Sequence, residues 1–139
     1  MWLLFSLLSG FGGALLALVV KVYLKHLDPL FITFLFFALA SLLLLIIGLI
    51  TQRISYAALA ALSTHEWNML ALGGIINAAA FTCYLLAMNY GRVSSVVAVD
   101  RLGVLYVVIL SVVLLQEPLT IQAIAGAALM VAGVFLLNA

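Results

Sequence analysis

Five apolar stretches occupy most of this 139-residue chain and constrain its fold more than any other feature. Each is long enough to cross the hydrocarbon core of a membrane as a helix, since about 20 apolar residues span about 30 Å. Backbone polar groups must pair within such a segment, which favours helices. The sequence therefore predicts an all-α membrane protein with a single domain at residues 1–139, a bundle of five transmembrane helices at residues 2–24, 30–51, 67–90, 94–115 and 120–138.

The composition supports this class and excludes others. Hydrophobic residues make up 69% of the chain and charged residues 6%, with a mean hydropathy of +1.46, whereas a soluble domain has about 25% charged residues. The net charge of +1 is too small for a nucleic-acid-binding surface. The single cysteine, Cys83, has no second thiol for a disulfide or a metal site. We expect no cofactor, no metal and no nucleic-acid partner.

Turn-forming residues separate the predicted spans. Asp28-Pro29 ends the first span and starts the second, because proline disfavours a helical conformation in the residue before it and suits the first helical position. Gly91-Arg92 and Glu117-Pro118 mark two further breaks. The longer link at residues 52–66 contains enough apolar residues for a short helix along the membrane interface. The first span is longer than the core of a secretory signal, and we interpret it as a retained helix.

Basic residues near the loops predict an orientation by a small margin. Lys21, Lys25 and Arg92 lie on one side and Arg53 on the other, which favours an outside N-terminus and a cytoplasmic C-terminus. Such a margin is compatible with copies in both orientations. We expect an integral protein of the bacterial cytoplasmic (inner) membrane.

The fourth span carries Asp100 and Arg101 about two helical turns inside the hydrocarbon. A charge near the bilayer centre costs roughly 2.5–3.5 kcal/mol on insertion scales, so this pair is a hypothesis about function. Lys21, near the end of the first span, is expected at a similar depth. Two interpretations stay open: Lys21 and Asp100 form a functional ion pair, or Lys21 extends to the interface while the Asp-Arg pair only fixes helix packing.

Small residues recur every four positions in the first span and end in the lysine: Ser9, Gly13, Ala17 and Lys21. Small residues at this spacing allow close approach of a neighbouring helix in lipid. The pattern predicts a packed face that carries Lys21 inward.

A polar and aromatic line runs along the third span, at Asn77, Phe81, Tyr84 and Met88. Steps of four, three and four residues place these side chains on one helix face. The line is compatible with a cavity wall that offers an amide and a phenol, and equally with ordinary packing through an interhelical hydrogen bond. Asn77 and Tyr84 are therefore candidate substrate contacts.

The fifth span has no ionisable residue. Gly126 and Gly133 predict a helix that packs closely, either within the chain or against a partner.

Three stretches carry a resemblance to a known family: residues 18–29 (LVVKVYLKHLDP), residues 88–103 (MNYGRVSSVVAVDRLG) and residues 114–120 (LLQEPLT), followed by Gly126 and Gly133. The chain resembles the short, five-span members of the EamA type within the drug/metabolite transporter superfamily. The most specific part is the Asp100-Arg101 pair followed by Glu117 at the end of that span. Arg101 stands where a lysine is expected, and Gly103 where serine is common, which bears on substrate choice.

The resemblance implies a secondary transporter of a small metabolite, built as half of a ten-helix inverted-repeat transporter. A second copy, or a related half-transporter chain, is then needed to form the cavity, and an antiparallel homodimer is preferred. Alternating access follows, with Asp100 as the proton- or substrate-linked switch and Lys21 or Arg101 as its counter-charge. The glutamate in the first span of the related small multidrug resistance proteins has no counterpart here.

Two other classes of function stay open. A non-transporting membrane subunit, of a larger complex or of a flippase for a lipid-linked intermediate, would use the same small-residue faces without a cavity. An intramembrane enzyme is disfavoured, because the sequence shows no nucleophile with a base and no cluster of metal-binding carboxylates. We therefore expect no enzymatic activity, and partners limited to membrane lipid, the small-molecule substrate and the second half-transporter.

Overall fold

The computed structural model describes residues 1–116, 118 and 120–138, and within them the regular structure is helical. The elements, in chain order, are α1 (Trp2–Val19), a π-helical turn (Val20–Leu24), α2 (Pro29–Ile50), α3 (Tyr56–Ala60), α4 (Thr64–Tyr90), α5 (Val93–Arg101), α6 (Gly103–Leu115) and α7 (Ile121–Asn138).

Five helical segments are long and apolar enough to cross a membrane: Trp2–Leu24, Pro29–Ile50, Thr64–Tyr90, Val93–Leu115 and Ile121–Asn138. Their ends differ from the predicted spans by at most three residues. The predicted fold class, an all-α membrane protein, is confirmed.

Asp28 fixes the start of α2. Its side chain accepts hydrogen bonds from the backbone N–H groups of Leu30, at 2.8 Å, and Phe31, at 3.2 Å. Pro29 occupies the first turn, where its missing N–H leaves no hydrogen bond unmade. The Asp28-Pro29 pair therefore ends the preceding loop as its sequence predicts.

A capping box starts α4 three residues earlier than predicted. The backbone N–H of Ser63 donates to Glu66 Oε2 at 2.7 Å, and the N–H of Glu66 donates to Ser63 Oγ at 3.3 Å. These bonds satisfy donors that a helix N-terminus otherwise leaves unpaired. The link before α4 contains the short helix α3, and its location at the membrane interface stays a prediction.

The chain divides into two compact units. The first unit comprises Met1–Tyr23 and Ala87–Ala139, and the second comprises Leu24–Leu86. In the first unit α1 packs against α5, and α7 packs against both α5 and α6. Ala17, Val20 and Met88 are buried there.

Hydroxyl groups and aromatic rings join α2 to α4 in the second unit. Thr82 Oγ1 lies 3.1 Å from Thr33 Oγ1, and the Thr33 hydroxyl donates to the carbonyl oxygen of Pro29 at 2.9 Å. The Phe37 and Phe81 rings meet edge to face at 5.5 Å between centroids. These contacts fix the pairing of two otherwise aliphatic helices.

Large apolar side chains are exposed along every membrane-length helix of the described residues. In water such a surface would drive association. In a bilayer it is covered by acyl chains, which solvate leucine and phenylalanine as well as a protein core does.

Candidate functional site

Lys21 lies in the π-helical turn at the end of the first span. Its ammonium donates to two backbone carbonyl oxygens, that of Met88 at 2.5 Å and that of Gly91 at 2.8 Å. Both acceptors lie where α4 ends, and the last carbonyls of a helix have no partner within it. A cation is favourable at this negative end of the helix dipole. Lys21 therefore caps α4 from α1.

This contact differs from the Lys21–Asp100 ion pair that was one of the two interpretations of the sequence. Within the described residues Lys21 bonds to carbonyl oxygens, and no Lys21–Asp100 pair lies within 4.0 Å. The physical reason is the end of α4, which offers the ammonium two unsatisfied acceptors. The alternative in which Lys21 extends to the interface stays open, because both acceptors lie at the end of α4, where the third membrane-length helix ends.

Gly91 allows the close approach that this contact needs. A Cβ atom at Gly91 would lie 2.5 Å from Val96 Cγ2 and 3.3 Å from the carbonyl oxygen of Ala87. Any side chain would therefore displace Val96, on the first turns of α5. Gly91 keeps the connection between α4 and α5 tight and its carbonyl within reach of Lys21.

Asp100 is exposed on α5 and makes no hydrogen bond or ion pair with the described residues. The fourth span is interrupted directly after it, since α5 ends at Arg101 and α6 begins at Gly103. At the interruption the N–H of Leu102 bonds to the carbonyl oxygen of Val99 at 3.0 Å, three residues back. The charged pair thus sits at a one-residue break in a membrane-length helix, at which Leu102 keeps a right-handed helical conformation (φ −63°, ψ −13°).

Arg101 contacts the small-residue face of α1. A Cβ atom at Gly13 would lie 3.4 Å from Arg101 Nη2. Ala17, on the same face, is fully buried, and Lys21 caps α4 as described. Ser9 is exposed. The predicted face is packed from Gly13 to Lys21 and open at Ser9.

The polar line on α4 is only partly assembled. Tyr84 stacks with Phe81 at 6.2 Å between ring centroids, and Met88 is fully buried. Asn77 is exposed. The roles of Asn77 and Tyr84 as substrate contacts stay predictions.

A groove of about 940 Å³ lies between α2 and α4 in the second unit. Its walls are apolar except for a few hydroxyl and thiol groups, among them Thr33, Ser41, Thr82 and Cys83. Sequence reasoning did not predict the contact between Thr33 and Thr82. This contact could have been predicted from the presence of a threonine in each of two apolar helices, because in lipid such residues favour an interhelical hydrogen bond.

The glycines of α7 make no close contact within the described chain. A Cβ atom at Gly126 or at Gly133 would have no heavy atom within 4 Å, although α7 packs against α5 and α6. The close packing predicted at these glycines stays a prediction. Glu117, the last residue of the family pattern in the fourth span, lies outside the described residues.

The chain matches the model of the EamA-like transporter family over residues 1–139, its whole length. The chain belongs to this family. It is 27% identical over 136 residues to a Sinorhizobium protein named "Uncharacterized transporter in cobO 3'region", covering 98% of this chain and 95% of that protein. No solved structure matches the chain.

The family resemblance drawn from the sequence is therefore confirmed. This EamA-family chain is a membrane transporter and not an enzyme. Among the described residues no group of three His, Cys, Asp or Glu side chains is placed to hold a metal ion.

Proposed function

We propose that this EamA-family chain moves a small metabolite by alternating access, as an antiparallel homodimer with Asp100 as its coupling group. The observation that carries the proposal is the interruption of the fourth membrane-length helix directly after Asp100 and Arg101. Discontinuous helices near the middle of the bilayer form the substrate and coupling-ion sites of many secondary transporters.

A second copy supplies the other half of the transporter. Inverted repeats of opposite topology enclose a site between them and expose it to either side in turn. No residue of α5, α6 or α7 is buried within the described chain, which leaves these helices free to contact a partner. The small margin of basic residues between the loops is compatible with two orientations.

Asp100 suits the role of coupling group. It lies within the membrane-length helix and no described side chain pairs with it. A carboxylate in hydrocarbon is costly when charged, so a proton or a cationic group of the substrate stabilises it. Arg101 is its nearest counter-charge in sequence. Lys21 supports the site from the α4 cap.

Flux measurements test this proposal. The purified chain is reconstituted in liposomes that contain a pH-sensitive dye, and amino acids, nucleobases, polyamines and cationic drugs are offered with and without a proton gradient. We expect gradient-dependent flux that Asp100→Asn abolishes. Asp28→Asn is the matched control, because asparagine caps a helix as well as aspartate does. Retention of gradient-dependent flux in a folded Asp100→Asn protein would exclude Asp100 as the coupling group.

The same assay separates transport from an accessory role. A monodisperse protein that moves no compound of the panel, and no proton, would favour a non-transporting subunit, including a subunit of a flippase for lipid-linked intermediates. Copurification of a second protein would then identify the complex.

Labelling from one side of the membrane tests the antiparallel arrangement. His26→Cys places a thiol in the exposed loop after the first span, in a Cys83→Ser background that removes the native thiol. A membrane-impermeant maleimide is applied to intact cells and then to permeabilised cells. We expect about half of the copies to react in intact cells, as two orientations in equal number require. Labelling of all copies, or of none, would contradict dual topology.

A further inference from the structure

The guanidinium of Arg101 lies against the middle of the first membrane-length helix. A Cβ atom at Gly13 would be 3.4 Å from Arg101 Nη2, so the charged group rests beside a residue without a side chain. Gly13 is the middle residue of the span Trp2–Leu24, eleven residues from either end. At 1.5 Å per residue it is about 16 Å from each end, close to the centre of a hydrocarbon core of about 30 Å.

No described side chain neutralises this charge. Among the described residues no carboxylate oxygen lies within 4.0 Å of the Arg101 guanidinium. Asp100 precedes it in sequence, but successive residues of a helix point about 100° apart. Lys21, the other cation of the described spans, donates to two carbonyl oxygens. Lys21 and Arg101 thus differ, because among the described residues only Lys21 has hydrogen-bond acceptors.

The backbone leaves regular α-helical geometry directly after Arg101. α5 ends at Arg101, and across the break the N–H of Leu105 bonds to the carbonyl oxygen of Leu102 at 2.8 Å, three residues back. A Cβ atom at Gly103 would meet nothing within 4 Å. The break and this open space therefore lie one and two residues after Arg101.

We infer that Arg101 binds an oxyanion of the transported molecule, a carboxylate or a phosphate, in the middle of the membrane. This inference rests on the transport function proposed above. The guanidinium presents a planar fork of N–H donors that fits two oxygens of either group at once. Lipid phosphates lie at the membrane surfaces, about 15 Å away, so a small solute supplies the anion. Gly13 is a positioning residue, because a larger side chain at this position would occupy space next to the guanidinium.

Matched pairs of solutes test the charge requirement. Proteoliposomes of the full-length chain are offered succinate against succinamide, and glycerol 3-phosphate against glycerol. The pairs differ in charge while keeping a similar carbon skeleton, and they separate a carboxylate from a phosphate. We expect saturable uptake or binding of an anionic member and none of its neutral partner.

Variants at three positions test the assignment to Arg101. Loss of hydrogen bonds to a charged group costs a binding site about 10- to 100-fold in affinity, which we expect for Arg101→Gln. Arg101→Lys retains the charge without the fork and loses less. Gly13→Val crowds the guanidinium and weakens anion binding, whereas Gly12→Val, one residue away, enters open space and leaves binding unchanged. Monodispersity and melting temperature show that each variant is folded.

Arginine modification gives a readout that does not depend on flux. Phenylglyoxal reacts with guanidinium groups, and mass spectrometry separates Arg101 from Arg53 and Arg92. We expect the bound anion to slow the reaction at Arg101 and to leave the two loop arginines unaffected. Equal protection of all three, or of none, would contradict a site at Arg101.

The outcomes distinguish this inference from the function on which it rests. If neutral or cationic solutes are transported and their flux survives Arg101→Gln, the chain is a transporter and the anion site is wrong. If Gly13→Val and Gly12→Val behave alike, Gly13 does not position the guanidinium. If no solute of this panel or of the wider panel moves or binds, the transport proposal itself fails.

Discussion

The two units of the chain join their helices by different chemistry. In the second unit, hydroxyl groups and aromatic rings connect α2 to α4 through the pairs Thr33–Thr82 and Phe37–Phe81. In the first unit, cations reach from one helix to another, Lys21 to the end of α4 and Arg101 to the middle of α1. Charges in hydrocarbon are costly and hydroxyl pairs are not.

This difference favours the first unit as the location of the coupling group proposed above. In the second unit the Thr33–Thr82 and Phe37–Phe81 contacts are made between its own residues. In the first unit, Lys21 is satisfied, whereas Arg101 and Asp100 lack a partner among the described residues. Intramembrane charges that packing does not explain mark substrate and ion pathways.

Removal of the Lys21 ammonium should give the largest loss of stability. Lys21→Met leaves the carbonyl oxygens of Met88 and Gly91 without their side-chain donor, and hydrogen bonds to charged groups contribute roughly 1.5–3 kcal/mol. We expect the free energy of unfolding in mixed micelles to fall by about 3 kcal/mol. Lys25→Met is the control, since Lys25 is exposed in the loop. Equal losses in the two variants would mean that the α4 cap has no energetic role.

A side chain at Gly91 should weaken the same cap by crowding. Gly91→Ala places a methyl group against Val96, and overpacking costs about 1–3 kcal/mol. We expect a loss of about 2 kcal/mol, most of it recovered in the double variant Gly91→Ala/Val96→Ala. Gly73→Ala, at a glycine of the second unit with open space around it, should not destabilise. Failure of the Val96→Ala rescue would locate the strain elsewhere.

Arg101 should respond in the opposite sense to Lys21. Arg101→Leu removes a charge that costs roughly 2.5–3.5 kcal/mol at the bilayer centre, and part of that cost persists in the unfolded chain because it stays in the micelle. We expect the free energy of unfolding to rise by about 1 kcal/mol while transport is lost. Such a trade of activity for stability is characteristic of functional sites. A loss of stability equal to that of Lys21→Met would make Arg101 a structural residue.

Sequence reasoning predicted the spans, because they depend on a regular pattern, the length of each apolar stretch. The packing face of Ser9, Gly13 and Ala17 stays a prediction. The early start of α4 was readable from Ser63 and Glu66 as a capping box. The hydrogen-bond acceptors of Lys21 could not be predicted from residue types, because they are backbone carbonyl oxygens, which any residue supplies at a helix end.

The π-helical turn and the break at Leu102 were also not predicted from the sequence. Neither segment contains proline, the residue that most strongly signals a break. Tertiary context overrides local helix propensity, so such local changes of helix geometry are not predicted from the residue types. The candidate site was predicted as a set of charges, and its geometry was not.

The smallest effect should come from the hydroxyl pair of the second unit. Thr82→Val keeps the shape of the side chain and removes its contact with Thr33, and interhelical hydrogen bonds in membrane proteins contribute about 0.6 kcal/mol on average. Ser41→Ala is the control in the same groove, since the Ser41 hydroxyl bonds only to its own helix, at the carbonyl oxygen of Ala38. We expect unfolding in mixed micelles to show a loss of about 0.6 kcal/mol for Thr82→Val and less for the control, with transport retained in both. If Thr82→Val abolishes transport without destabilising the protein, the groove takes part in substrate binding and the division of function between the units is wrong.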